Sequence, residues 1–171
     1  GAAGRVLMQL IRGRRTVDDV DVTLSAMAAI AERTGALVQL VDARYVVDRE
    51  QLALAVELAT EAIAADRQIA DEPAIELLVY LAGTRQIDRA LQLSLDAAVE
   101  TYLAVVDGGD SEAACAAVTT DLFDAVEPLQ FTPEATLVRA WYDIEDAELA
   151  VTDGDLAGIV HERVAMVPTM V

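Results

Sequence analysis

Apolar residues recur along this chain with two periods. Short runs of Val, Leu and Ile alternate with longer stretches in which apolar positions return every three or four residues, the spacings of strands and of one-sided helices. Val6 to Ile11 form a short apolar run closed by Arg12-Gly13-Arg14-Arg15, which predicts a first strand and a turn. Thr16-Val17-Asp18-Asp19 reads as a helix start, with Thr16 as N-cap and acids in the first turn. Val20, Leu24, Met27 and Ala31 follow at helical spacing, and Gly35 stands where a C-terminal cap belongs. Leu37 to Val41 predicts a second strand.

Asp48-Arg49-Glu50-Gln51 has the form of a capping box, followed by an apolar stripe of Leu52, Val56, Ala59 and Ile63. Pro73 opens the next helix from its first turn. With Ile75, Leu77, Leu78, Leu81 and Ala82 that helix is apolar on most sides, which predicts a central position, and Gly83 ends it. Thr84 is placed to cap a short helix running to about Gln92. Val99 to Val106, β-branched and aromatic, reads as a strand. Gly108-Gly109 makes a turn, and Asp110 or Ser111 caps a helix through about Val118. Thr132-Pro133 starts another helix with Leu137 and Trp141 on one face. A last helix follows Asp153, with Leu156, Ile159, Val160 and Val164 as its stripe. No linker divides the chain and no repeat has a fixed period. The expectation is one α+β domain over residues 1–171, a small, mainly antiparallel sheet of three to four strands packed with several helices.

Composition sharpens this picture. The 171 residues are 54% apolar but only 4% aromatic, so the predicted core is one of small aliphatic side chains. Thirty acids face twelve basic residues, all of them Arg, for a formal net charge of −18. Such a surplus repels itself at ordinary salt. In molar salt the Debye length falls to about 3 Å and the repulsion largely disappears. Because the acids are scattered along the whole chain, adaptation to a salt-rich interior is the simplest account, and a basic partner is the alternative. In molar salt a negative net charge does not exclude RNA, although counterion release then contributes little to binding. No apolar run approaches membrane-spanning length and no signal-peptide pattern opens the chain, so a soluble cytoplasmic protein is expected. The chain begins at Gly1 without an initiator methionine, which suggests a trimmed or replaced start.

Little in the chain offers catalysis. There is one His, one Cys and no Lys, which removes lysine nucleophiles and P-loops. His161-Glu162 is not a zinc motif, since position 165 is Ala, and His161 reads as a solvated or capped side chain. Cys115 has no partner for an internal disulfide and reads as a small buried apolar residue. The carboxylates at Asp18, Asp19 and Asp21, and at Glu145, Asp146 and Glu148, read as solvated helix starts. No catalytic residue, metal site or cofactor is expected.

One segment differs from the rest. After the apolar helix ends at Gly83, the chain places Thr84, Arg85 and Gln86 in a row before Ile87, Asp88 and Arg89, a polar lip at a helix–helix corner. An Arg forks onto a phosphate or stacks on a base, and a Gln offers a base edge both a donor and an acceptor. Such groups suit single-stranded RNA. On physical grounds alone, Thr84 as a helix cap and Arg85–Asp88 as a surface pair is the favoured reading.

Leu77-Leu78-Val79-Tyr80-Leu81-Ala82-Gly83-Thr84-Arg85-Gln86-Ile87-Asp88-Arg89-Ala90-Leu91 resembles the signature of the accessory KEOPS subunits that include the PRPK-binding protein, here in a haloarchaeal-like form. Asp42-Ala43-Arg44-Tyr45-Val46, Trp141-Tyr142-Asp143-Ile144 and Ile159-Val160-His161-Glu162-Arg163-Val164-Ala165 extend the resemblance over most of the chain. It implies a non-catalytic, regulatory arm of a tRNA-modifying machine that installs N6-threonylcarbamoyladenosine. The arm would bind the complex's atypical kinase/ATPase subunit, capture the single-stranded 3′ CCA end of tRNA and so serve the threonylcarbamoyl-transferase subunit indirectly. By this resemblance Gly83, Thr84, Arg85, Gln86 and Ile87 fall to the tRNA end, with Arg89 added to them. Leu137, Trp141, Val160 and Val164 are the expected kinase-facing residues. The family carries more Lys along the tRNA path, so stacking and hydrogen bonding would dominate here. A protein-only adaptor, with Arg85 and Gln86 locked into internal hydrogen bonds, is the rival expectation.

Overall fold

The computed structural model describes residues 8–170. In chain order the regular elements are β1 (Gln9–Arg14), α1 (Val20–Thr34), β2 (Leu37–Asp42), α2 (Arg49–Ala64), α3 (Pro73–Ala82), α4 (Ile87–Ala90), β3 (Thr101–Asp107), α5 (Ser111–Ala117), β4 (Ala125–Glu127), α6 (Ala135–Tyr142), α7 (Asp146–Val151) and α8 (Leu156–Ala165). The four strands form one antiparallel sheet in the order β2-β3-β1-β4. The fold class is α+β, as the alternation of short apolar runs and helical stripes predicts.

The chain forms two compact units, Gly1–Ala43 with Ser94–Gln130 and Arg44–Leu93 with Phe131–Val171. The first carries the whole sheet with α1 and α5, in the sequence β-α-β-β-α-β and with β1 and β3 adjacent, the split βαβ arrangement. Its core joins Val38 and Leu40 of β2 and Tyr102, Ala104 and Val106 of β3 to Met27 and Ile30 of α1 and Ala114 and Ala117 of α5. The side chains alternate along each strand, so one set of residues on β2 and β3 faces these helices. Cys115 is half-buried at the edge of this core, and burial pushes its thiol pKa up.

Several boundaries differ from expectation. Val6 and Leu7 of the expected first strand lie outside the described residues. The strand runs on through Arg12-Gly13-Arg14, where a turn was expected. Arg12 is buried, donates to the Gln130 carbonyl at 3.1 Å and faces Glu127 across β4, while Arg14 reaches Glu100 at 2.8 Å. These carboxylate and carbonyl partners, distant in sequence, allow guanidinium groups on a strand. Thr16 is not the cap of α1; Asp19 accepts from the Asp21 N–H, and the Thr16 N–H instead donates to Asp124. The buried stripe of α1 is Thr23, Met27 and Ile30, and Val20 and Leu24 face outward. Thr23 takes the buried phase because its hydroxyl accepts from Arg15. The three-residue β4 and the acidic α7 carry too little apolar pattern to be read from sequence.

The second unit is helical among its described residues. Leu52, Val56 and Ala59 of α2 and Val160 and Val164 of α8 are buried as their spacing predicts. Every residue of α3 from Glu76 to Ala82 is buried, so this helix is central to the unit. The carboxylate of Glu76 is sequestered by accepting the N–H groups of Ile69 (2.9 Å) and Ala70 (2.8 Å), which ties down the α2–α3 connection. Burial first, and then the Glu76 charge and hydrogen bond, push the Tyr80 hydroxyl up to about 12. Only half of the expected capping box forms. Asp48 accepts from the Gln51 N–H, while the Gln51 side chain takes the Val47 N–H and donates to Tyr45 and Tyr142. No described helix is long and apolar enough to cross a membrane.

Candidate functional site

The lip at residues 83–89 grows out of the C-terminus of α3. A helix ends with carbonyls that have no partner within it. Here Gly83 adopts the left-handed conformation at φ 68°, its N–H bonds the Tyr80 carbonyl, and the Thr84 N–H bonds that of Val79, a Schellman closure. The Leu81 and Ala82 carbonyls accept from the Tyr142 hydroxyl and from the Trp141 indole N–H at 3.0 Å. Burial holds the Tyr142 phenol well above its ordinary range, so it stays a donor. The adjacent pair Trp141-Tyr142 on α6 thus seals the end of α3. A Cβ at Gly83 would lie 3.4 Å from the Arg163 carbonyl and 3.5 Å from the Tyr142 ring. Gly83 is therefore a turn residue held against α6 and α8, which is what aims the residues after it.

Beyond that turn the side chains separate into two groups. Thr84 Oγ1 accepts the Gln86 N–H at 3.1 Å, so it shapes the turn, while Gln86 occupies the cap position of α4. Arg85 and Gln86 are exposed, and among the described residues their side chains make no hydrogen bond or ion pair. The Arg85–Asp88 surface pair is not formed. Ile87 is half-buried. Arg89, also exposed, is held: its guanidinium carbon lies 4.1 Å from the centroid of the Trp141 ring, and Nη2 donates to the Trp141 carbonyl at 3.1 Å. The edge of Tyr45 meets Trp141 with centroids 5.7 Å apart and planes at 68°, and Arg44 lies 5.8 Å from the Tyr45 centroid. Tyr45 belongs to this group, and the sequence pointed to it only as part of the Asp42–Val46 stretch that carries the family resemblance.

The residues expected to face the kinase divide. Leu137 and Trp141 are half-buried and keep some surface. Val160 and Val164 are fully buried in the core of their own unit, so they have no surface to offer a partner. The same helical period that marks an interface stripe marks a core stripe, and burial here assigns these two to the core.

Two polar clusters brace the unit. Arg163 donates to the Tyr142 carbonyl (3.0 Å) and to Glu148 (2.7 Å), and the latter bond, foremost, holds the Glu148 carboxyl below its ordinary value and the Arg163 guanidinium above. His161 Nε2 lies 2.9 and 3.0 Å from the two Asp48 carboxylate oxygens, with Nδ1 3.6 Å from Glu50. Asp48, Glu50 and His161 could each turn a ligand atom toward a metal, all within 4.8 Å of one another. Asp48 already caps α2 and faces His161, which makes this cluster a clasp between α2 and α8.

A known family matches most of the chain. The family model described as "Kinase binding protein CGI-121" fits residues 17–167. No curated protein matches the sequence.

Proposed function

As the chain belongs to the CGI-121 family of kinase-binding proteins, accessory subunits of the KEOPS type, we propose that it is a non-catalytic subunit that docks on the kinase/ATPase and recruits tRNA by its single-stranded 3′ CCA end. The docked tRNA would be held at raised effective concentration near the threonylcarbamoyl-transferase subunit. The observation that supports the RNA half of this reading is the state of Arg85 and Gln86. A turn fixed by Gly83, Trp141 and Tyr142 presents both side chains outward, unengaged among the described residues. An adaptor that used this corner only for its own fold would tie them inward. In a chain with net charge −18, contacts of this local kind are the means by which an anionic ligand would be held. Of the kinase-facing proposals, Leu137 and Trp141 remain.

The test is binding of the purified chain to tRNA with and without its terminal CCA, in molar KCl, beside Arg85→Glu. Binding that needs the CCA and falls at least about tenfold, a change of ~1.4 kcal/mol, in the variant is the expected result. Binding indifferent to both leaves a protein-only adaptor of the kinase.

A further inference from the structure

The chain's one histidine, His161 on α8, meets two carboxylates at the start of α2. Its Nε2 lies 2.9 and 3.0 Å from the oxygens of Asp48, and its Nδ1 lies 3.6 Å from Glu50. A nitrogen lone pair aimed at a carboxylate is repelled by it, so what stands between Nε2 and Asp48 carries positive charge, either a proton or a metal ion. The spacing suits both. A nitrogen and an oxygen that bind one ion at about 2.0–2.2 Å stand about 3 Å apart when the angle at the ion is near a right angle. An ion can therefore take the proton's place with neither side chain moving. Asp48 Oδ1 also accepts the Gln51 N–H at 2.9 Å, which fixes the carboxylate as an outer partner fixes a metal ligand. The His161 side chain is only 20% exposed, so the packing of α8 sets its orientation. Glu50 is exposed and, among the described residues, its one ion pair is with His161, which leaves it free to turn. The three residues bring one donor atom each within 4.8 Å of the others.

We propose that Asp48, Glu50 and His161 form a binding site for a divalent transition-metal ion of the zinc class, with water completing its coordination. One imidazole with two carboxylates suits such an ion, whereas Mg²⁺ and Ca²⁺ select oxygen alone. Entry of the ion displaces the Nε2 proton. The bound ion staples the start of α2 to α8. Both helices pack on α3, so the ion braces the framework of this unit. The site requires no RNA and is independent of the recruitment reading above.

The test is titration of the purified chain in molar KCl with Zn²⁺, followed by calorimetry, and with Co²⁺, whose visible absorption reads its ligands. Thirty acids offer many weak surface sites, so excess Mg²⁺ is present throughout to occupy them. One equivalent of Zn²⁺ is expected to bind and to raise the melting temperature. His161→Gln is expected to weaken binding at least about tenfold, the least that loss even of an outer partner costs, and to abolish the rise. Asp48→Asn keeps a capping side chain but loses the charge, and it is expected to weaken binding as well. Melts of the metal-free variants check that each folds, and the exposed Glu50→Gln, also expected to bind more weakly, serves if His161→Gln does not. No binding in excess Mg²⁺, or binding that His161→Gln and Glu50→Gln leave unchanged, overturns the proposal and leaves the cluster a hydrogen-bonded clasp. A Co²⁺ spectrum with thiolate absorption assigns the ion to Cys115 and likewise overturns it.

Discussion

Gly13 shows how much a single position can carry. It lies within β1, opposite Tyr102 of β3 and Val126 of β4, and the ring of Phe123 lies directly over its Cα, where any Cβ would collide with it. Glycine weakens an isolated strand, yet here it makes room for one of only two phenylalanines in the chain. Gly13→Ala is expected to destabilise the protein by about 1–3 kcal/mol, the usual scale for overpacking. Chemical denaturation measures it. Phe123→Leu in the same chain should recover part of the loss, and full stability in the single variant would contradict the packing argument. Sequence placed Gly13 in a turn because glycine among arginines resembles one; the ring that demands it is 110 positions away. Gly83, by contrast, was legible, since an apolar helix running into a glycine requires little beyond local geometry.

At the scale of elements, α6, α7 and α8 are tied by Arg163, which reaches the Tyr142 carbonyl at the end of α6 and Glu148 on α7. The Glu148 carboxyl titrates below its ordinary value of 4.5, chiefly because of the Arg163 hydrogen bond. The contribution of the pair is therefore complete above that value and is lost as pH falls through the lower folded-state one. Glu148→Gln should lower the melting temperature at neutral pH, with the difference from wild type shrinking as acid is added. A difference that stays constant down to the acid transition would show that the ion pair is not its source. The elements themselves were legible where their stripes were long. α2 and α8 bury most of the residues that their periodicity marks, with Ile63 and Leu156 only half-buried, and α3, apolar on most sides, is buried from Glu76 to Ala82 with Ile75 half-buried. In α1 only Met27 of the expected stripe is buried, since Val20 and Leu24 are apolar but exposed and the polar Thr23 is buried on an arginine bond.

For the whole molecule, the surplus of carboxylates is the dominant electrostatic fact. Exposed pairs such as Arg14–Glu100 and Arg33–Asp121 engage some of the twelve arginines, and thirty acids outnumber them. Exposed pairs contribute little each, so the remaining repulsion opposes folding at low ionic strength. The melting temperature is expected to climb as KCl is raised from about 0.1 M to about 1 M, the range over which the Debye length shrinks from about 10 to about 3 Å. A melting temperature that is flat or falls over that range would remove the salt-adaptation reading.

The sequence by itself determined the α+β class, the central helix α3, the turn at Gly83, the charge surplus and the motif that led to the family. Each rests on a local pattern or a sum over residues, and neither needs distant neighbours. The sheet order, the two compact units, the burial of Val160 and Val164, and the stacking of Arg89 on Trp141 were decided only in the tertiary structure. These depend on which distant residues meet: an exposed stripe and a buried one share the same period, and Arg89 and Trp141 become neighbours only because Trp141 closes the end of α3.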